Sequence, residues 1–296
     1  MKNTLHNYEK QSKFTFILAM FIFGTIGIFR NYIPLPSSLI ALARGLIGTL
    51  FLGTILKLKG IKLSITAIKS QLLLLILSGA FLGFNWIFLF EAYQYTTVST
   101  ATLCYYMAPI LVIIASPILF KERLTLRKVF YVLIALIGMI FVSGIHKTQF
   151  LGSIELKGIL YGLGAAIFYA GLMLTNKIIK NVSAYEKTVA QLGIASIILL
   201  PYCLFTENLS QISFTPLSLT MLAIVGIVHT GIAYTLYFGA MNNLKAHTIA
   251  LFSYIDPIIA IVLSALILHE TMGPLELLGT FFILGATLLD ELTTSS

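Results

Sequence analysis

Apolar segments close to twenty residues long recur along this chain, and they constrain its fold more than any other feature. An α-helix of about twenty residues is long enough to cross a hydrocarbon layer of about 30 Å. Because lipid offers the backbone no hydrogen-bond partners, each crossing segment has to be a helix. The sequence predicts ten membrane-spanning helices, at residues 14–33, 37–56, 71–93, 97–120, 127–146, 156–178, 185–206, 216–239, 246–268 and 274–290.

Composition supports an all-α integral membrane protein, because 58% of the residues are hydrophobic and only 10% are charged. The longest connection between predicted helices covers residues 56–70, so we expect no soluble domain. The first span is too long for a signal peptide, and no cleavage site of small residues follows it. We therefore interpret it as the first transmembrane helix.

The net charge of +8 would suit a nucleic-acid surface, but the distribution of basic residues argues against one. With a cytoplasmic N-terminus, fifteen Lys and Arg residues fall in cytoplasmic segments and three (Arg30, Lys147 and Lys157) in outer segments. This bias follows the positive-inside rule. It predicts that both termini are cytoplasmic, that the lipid bilayer surrounds the chain and that no nucleic acid is bound.

Neither metal nor cofactor chemistry is indicated by the sequence. Cys104 and Cys203 lie in or near different spans and are expected to be packing residues rather than a disulfide. No Cys or His spacing typical of a metal site occurs, and no nucleotide-binding motif is present. We expect no cofactor and no enzymatic activity, and the sequence leaves a monomer and a dimer both open.

An internal repeat relates the two halves of the chain. Shifted by 148 residues, segment 83–122 aligns with segment 231–270 without a gap, and eleven of the forty positions are identical. The identities include Tyr106 with Tyr254, Pro109 with Pro257, and Glu122 with Glu270. Because five helices make up each unit, the second copy is inverted in the membrane, as in many secondary transporters. We predict two repeats, residues 1–147 and 148–296.

Each half ends in an apolar helix, a glutamate, a short turn and a glycine-containing helix, written PILFKERLTLRKVFYVLIALIGMIFVSG and ALILHETMGPLELLGTFFILGATLLDE. With ten spans, this pattern resembles the EamA-type members of the drug/metabolite transporter superfamily. The resemblance implies ten helices in two inverted repeats and transport of small molecules such as amino acids, other metabolites, choline-like cations or drugs. We interpret Glu122 and Glu270 as caps for the helices that begin near Thr125 and Gly273.

Asp256 is the most unusual residue, because it lies mid-span in an otherwise uncharged segment. A carboxylate at that depth can bind a proton, bind a cationic substrate or lock helix packing. Ser253 shares its helix face, as residues three apart do. Tyr254 lies about 200° around the helix from Asp256, so it lines the same cavity only if Pro257 distorts the turn.

Pro257 and its repeat equivalent Pro109 each remove a helical N–H and free a backbone carbonyl, that of Tyr105 in the case of Pro109. Each proline produces either a simple kink or a hinge that gates a cavity. Tyr106, the repeat equivalent of Tyr254, likewise lines a cavity only if the proline three residues after it distorts the turn.

The predicted spans 71–93 and 216–239 offer further candidates. Asn85 and Trp86, the only tryptophan, lie mid-span, and Trp86 either packs in the core or forms one wall of an aromatic box for a cation. Tyr234 belongs to a polar stripe on the predicted span 216–239. His229 beside it either carries a proton or is a hydrogen-bonded core residue.

Arg44 and Glu91 are both predicted toward the outer side. They could form an ion pair, either as a gate or as permanent packing, or Arg44 alone could clamp a substrate carboxylate. The sequence therefore predicts a secondary active transporter of a small metabolite, coupled to protons or to exchange and working in the export direction, with an intramembrane enzyme and a passive channel as alternatives.

Overall fold

The computed structural model describes residues 2–61, 63–121, 125–143, 154–208, 212–241, 244 and 252–294, and every regular element in these ranges is helical. The α-helices are α1 (Lys2–Gly24), α2 (Ile26–Asn31), α3 (Ser37–Leu58), α4 (Ile65–Ser70), α5 (Leu72–Tyr95), α6 (Val98–Tyr105), α7 (Ala108–Phe120), α8 (Leu126–Ser143), α9 (Ile154–Ile178), α10 (Ala184–Thr206), α11 (Pro216–Ile224), α12 (Ala233–Met241), α13 (Ile255–Ile267) and α14 (Pro274–Thr294). A π-helix, Val225–Ile232, joins α11 to α12.

Within the described ranges, seven helical segments are long and apolar enough to cross a membrane. They are Lys10–Asn31, Ser37–Leu58, Leu72–Tyr95, Val98–Phe120, Ile154–Ile178, Ala184–Thr206 and Pro216–Ala240. The other three predicted spans coincide with α8, α13 and α14, and parts of 127–146 and 246–268 lie outside the described residues. The chain is a multi-pass membrane protein, and the total of ten spans stays a prediction.

Breaks near the two repeat-related prolines divide predicted spans into shorter helices. α6 ends at Tyr105, and α7 begins at Ala108 with Pro109 in its first turn. Similarly, Tyr254 precedes α13, and Pro257 lies in the first turn of that helix. A proline is tolerated in a first turn because the N–H groups there have no intrahelical acceptor. Each proline therefore begins a helix rather than kinking a continuous one.

Helices α3 and α10 pack closely. Near each end of the pair, a residue of one helix is hydrogen-bonded to a residue that follows the other helix. A Cβ at Gly45 would lie 2.5 Å from the Ser196 hydroxyl, so the glycine permits the close approach. At one end the Ser38 hydroxyl donates to Glu207 Oε1. Beyond the other end, the Ser64 N–H donates to Glu186 Oε1 over 2.6 Å.

The predicted cap by Glu270 on the following helix is wrong. Its carboxylate accepts hydrogen bonds from the N–H groups of Val98 (2.9 Å) and Ser99 (3.3 Å), at the beginning of α6. The N–H of Gly273 is instead bound by Glu276 Oε2 at 2.8 Å. A carboxylate at a helix N-terminus satisfies otherwise unpaired N–H groups, and packing gives Glu270 the N-terminus of a distant helix. The equivalent prediction for Glu122 lies outside the described residues.

Candidate functional site

A cavity of about 420 Å³ lies among α1, α3, α5, α6, α9, α10, α12 and the segment 253–260. Eight of the residues predicted from the sequence to form a site line it: Asp256, Ser253, Tyr105, Tyr106, Asn85, Trp86, Tyr234 and Arg44. Helix packing thus brings together side chains separated by more than two hundred residues along the chain. A volume of this size suits a small molecule.

Asp256 lies in the first turn of α13, directly after the interruption of the helix at Tyr254. The positive end of the helix dipole favours a carboxylate at this position. Its Oδ2 accepts a hydrogen bond of 2.9 Å from the hydroxyl of Tyr106. Within the described part of the chain, Oδ1 has no hydrogen-bond donor, so one oxygen of the carboxylate remains for a ligand.

Tyr106 and Tyr254 occupy different environments although they are equivalent in the repeat. Tyr106 lines the cavity, whereas Tyr254 is buried outside the lining. The separation of about 200° expected for Tyr254 and Asp256 on one helix agrees with this placement. Tyr254 is therefore not brought into the cavity with the other predicted residues.

Arg44 supplies a cation to the same cavity. Its side chain is only 5% exposed, and its Nε donates a 2.8 Å hydrogen bond to the hydroxyl of Thr230. The guanidinium carbon lies 4.2 Å from the centroid of the Trp86 ring and 5.9 Å from that of Phe90. Among the described residues, none accepts a hydrogen bond from the two Nη groups. One interpretation of the sequence is that the Trp86 ring forms a wall that attracts a substrate cation. In the structure the guanidinium of Arg44 covers that ring.

Aromatic rings form much of the remaining wall. Tyr105 stacks on Tyr169 with ring centroids 4.9 Å apart. Tyr234 packs against Phe23 (5.3 Å) and stacks on Phe238 (5.9 Å). Rings of this kind bury apolar ligand surface and also attract cations to their faces.

A polar cluster that the sequence analysis missed lines another part of the cavity. Gln191 donates to the side-chain oxygen of Asn176 (2.7 Å) and to the Ser78 hydroxyl (2.8 Å). The Lys187 ammonium donates to the Asn176 carbonyl at 3.3 Å. Two amide side chains inside predicted spans 156–178 and 185–206 were the signal that could have identified this cluster.

Asn85 ties two helices together beside the cavity, since its amide donates a 2.8 Å hydrogen bond to the Ala165 carbonyl. This bond joins α5 to α9 and leaves the side chain 1% exposed. Its observed contact is therefore structural, at a position that also lines the cavity.

The remaining predicted residues lie outside the cavity lining. In the described structure Glu91 does not pair with Arg44, and it accepts a long hydrogen bond of 3.4 Å from Gln94. His229 is 1% exposed, is bonded through Nε2 to the Thr25 hydroxyl at 2.9 Å, and contacts the ring of Phe29. Pro109 and Pro257 mark the two helix breaks beside the cavity.

Cys104 and Cys203 are both free and buried, and neither contributes to the lining. Across the part of the chain that the structure describes, no group of three His, Cys, Asp or Glu side chains could hold a metal ion.

Comparison with known proteins gives a consistent family likeness. The EamA-like transporter family matches the chain twice, over residues 12–144 and 156–289. The uncharacterized transporter YxxF of Bacillus subtilis (strain 168) is 34% identical over 265 residues, which cover 87% of this chain and 84% of that protein. An uncharacterized transporter of Archaeoglobus fulgidus is 29% identical over 199 residues, covering 67% of this chain and 68% of that protein.

A solved crystal structure of a protein shares the fold of this chain. The TM-score is 0.66 at 16% sequence identity, and the match covers 96% of this chain and 98% of the other. At this identity the likeness concerns the fold alone.

Proposed function

The chain belongs to the EamA-like transporter family, and from this premise we propose that it is a secondary active transporter that exports a small zwitterionic metabolite of the amino-acid class in exchange for protons. The observation that carries the proposal is the placement of Asp256 and Arg44 in one cavity, each with polar atoms that no described residue binds. An ammonium group would bind the carboxylate, and a carboxylate would bind the guanidinium.

A purely cationic substrate is the second candidate, because the walls are aromatic. The Arg44 guanidinium over Trp86 disfavours it, since a second cation in the cavity would meet a like charge. A zwitterion satisfies both charged groups at once, and the aromatic rings then accommodate its apolar part.

Proton coupling would follow from competition at a single carboxylate. If Asp256 binds either a proton or the substrate ammonium, each species displaces the other, and their movements across the membrane become opposed. One partly buried carboxylate with one oxygen facing the cavity is sufficient for this exchange. Binding of the proton would not require a second acidic residue, and Asp256 is the only one among the described residues that line the cavity.

Alternating access would rest on ten spans arranged as two inverted repeats, residues 1–147 and 148–296. The two matches of the family to this chain support that division. With cytoplasmic termini, Lys187 lies at the cytoplasmic end of the cavity, and the contact of Glu270 with α6 lies at the outer end. In the described conformation, Glu270 would then hold the outer end in contact with α6. The polar cluster of Asn176, Lys187 and Gln191 would lie toward the cytoplasm.

The test is exchange by purified protein in sealed liposomes, using a radiolabelled panel of amino acids, polyamines and quaternary ammonium compounds, with and without a pH gradient. We expect saturable exchange of a zwitterionic amino acid, accelerated by an opposing proton gradient and lost in Asp256→Asn. Glu91→Gln serves as the matched acid-to-amide control, because Glu91 lies outside the cavity lining, and it should retain exchange. Wild-type, pH-dependent exchange in Asp256→Asn would refute the assigned role of Asp256, and transport restricted to quaternary ammonium compounds would refute the substrate class.

A further inference from the structure

The hydroxyl of Thr230 lies within the π-helix Val225–Ile232. Hydrogen bonds in a π-helix join residues five apart, and short π segments occur often at functional sites. The hydroxyl of Thr230 donates a 3.1 Å hydrogen bond to the carbonyl of Val225, five residues before it. The side chain therefore reinforces the π-helical turn in which it lies, and its oxygen is held in one position.

Glycines on both helices allow this turn to lie against α3. A Cβ at Gly48 would overlap the methyl group of Thr230, and a Cβ at Gly226 would lie 2.6 Å from the Ile47 side chain. Gly48 and Arg44 are four residues apart on α3, so they share a face. The close contact at Gly48 consequently brings the Thr230 hydroxyl beside the Arg44 side chain.

The Arg44 side chain would otherwise have several ways to lie in the cavity. Long side chains lose rotamer freedom when they are fixed, which is unfavourable unless a specific contact compensates for it. The rings of Trp86 and Phe90 attract the guanidinium but do not select one rotation in the plane of the ring. The 2.8 Å bond from Nε to Thr230 is directional, and it leaves the two Nη groups, which no described residue binds, on a side chain that lines the cavity.

We infer that Thr230 is a positioning residue, which holds the Arg44 guanidinium over Trp86 so that its Nη groups face the cavity. The inference rests on the proposed role of Arg44 in binding substrate. Its experimental test does not require transport, because Trp86 is the only tryptophan of the chain and lies directly beneath the guanidinium. A positive charge over the indole ring changes the energy of its emission, so the Trp86 spectrum reports where Arg44 lies.

The experiment records the emission spectrum and iodide quenching of Trp86 in purified protein in liposomes. Thr230→Val removes the hydroxyl at nearly constant volume, Thr230→Ser restores it, and Arg44→Gln gives the spectrum without the charge. Thr235→Val is the matched control, because among the described residues the Thr235 hydroxyl bonds to a backbone carbonyl four residues earlier, that of Gly231, and to no side chain. Size-exclusion profiles establish that each variant is folded, and Thr230→Ala replaces Thr230→Val if the latter is not.

We expect Thr230→Val to move the spectrum by at least half of the shift produced by Arg44→Gln, while Thr230→Ser and Thr235→Val match the wild type. The inference is overturned if Thr230→Val matches the wild type, if Thr230→Ser shifts as much as Thr230→Val, or if Arg44→Gln produces no shift. A shift of the expected kind in a protein that exchanges no zwitterion would refute the proposed function and leave the role of Thr230 intact.

Discussion

The hydroxyl of Tyr106 donates a 2.9 Å hydrogen bond to Oδ2 of Asp256, although the two residues are 150 positions apart. Each lies at a helix break that precedes a proline in a first turn. The bond fixes the carboxylate by one oxygen and leaves the other without a donor among the described residues, on a side chain that lines the cavity. A group held in this way is oriented for a ligand before the ligand arrives, which lowers the cost of binding.

Replacing Tyr106 with Phe should weaken substrate binding without abolishing transport. The variant removes the donor to Asp256 and retains the ring, and a hydrogen bond to a charged group contributes roughly 1.5–3 kcal/mol. We expect the KM for exchange to rise roughly tenfold or more. Tyr254→Phe is the control, because Tyr254 is the repeat equivalent of Tyr106 but lies buried outside the cavity lining, and it should change KM less than twofold. A wild-type KM in Tyr106→Phe would show that the hydrogen bond to Asp256 does not contribute to substrate binding, and an equal rise in both variants would show that the effect is not specific to Asp256.

Replacing Arg44 should remove recognition of a substrate carboxylate. We compare exchange of an amino acid with that of its amide, which lacks the negative charge. The wild type should favour the acid roughly ten- to hundredfold, and Arg44→Gln should favour neither. Arg44→Lys keeps the charge but lacks the planar fork that bonds Thr230 and stacks on Trp86, so it should restore only part of the preference. Retained discrimination in Arg44→Gln would contradict this role.

Replacing Glu270 with Gln should loosen the contact with the beginning of α6. Loss of a helix N-terminal cap costs roughly 1 kcal/mol, which is about a fivefold change in a conformational equilibrium. The readout is labelling of Val98→Cys by a membrane-impermeant maleimide, with Cys104 and Cys203 replaced by Ala. Val98 is 3% exposed in the described conformation, so labelling reports opening of that contact.

Glu276→Gln is the matched control for this measurement, because Glu276 caps the nearby N–H of Gly273 and not α6. We expect labelling to increase about fivefold in Glu270→Gln and to stay unchanged in Glu276→Gln. If both variants label at the wild-type rate, the carboxylate of Glu270 does not control access at this end.

Replacing Gly279 with Ala should destabilise the contact between α8 and α14. A Cβ at Gly279 would lie 2.5 Å from the carbonyl oxygen of Gly138, and one at Gly138 would lie 2.7 Å from that of Gly279. The crowding should cost roughly 1–3 kcal/mol and lower the Tm in detergent. Gly285→Ala on the same helix should leave the Tm unchanged or raise it slightly, since nothing lies within 4 Å of that Cβ. A Tm that falls equally in both variants would contradict the packing argument.

The features that could be predicted from the sequence alone are those that depend on single residues and their near neighbours along the chain. Apolar segments of membrane-spanning length follow from residue hydropathy, and seven of them are present as helices in the described ranges. The family was also recognisable, because the repeated apolar helix, glutamate and glycine pattern is continuous in sequence. Asp256 attracted attention because a charge in an apolar span is costly unless it has partners.

The tertiary structure decided which side chains meet. Glu270 binds the N–H groups of Val98 and Ser99 rather than those of the next helix, Arg44 contacts Thr230 and Trp86 rather than Glu91, and Tyr254 lies outside the cavity that its equivalent Tyr106 lines. Hydropathy and hydrogen-bonding capacity belong to single residues and their near neighbours, so they can be read along the chain. Contacts across the bundle depend on helix rotation, on the breaks near Pro109 and Pro257, on the π-helical turn at Thr230 and on close packing at glycines, and these arise only when all the helices pack together.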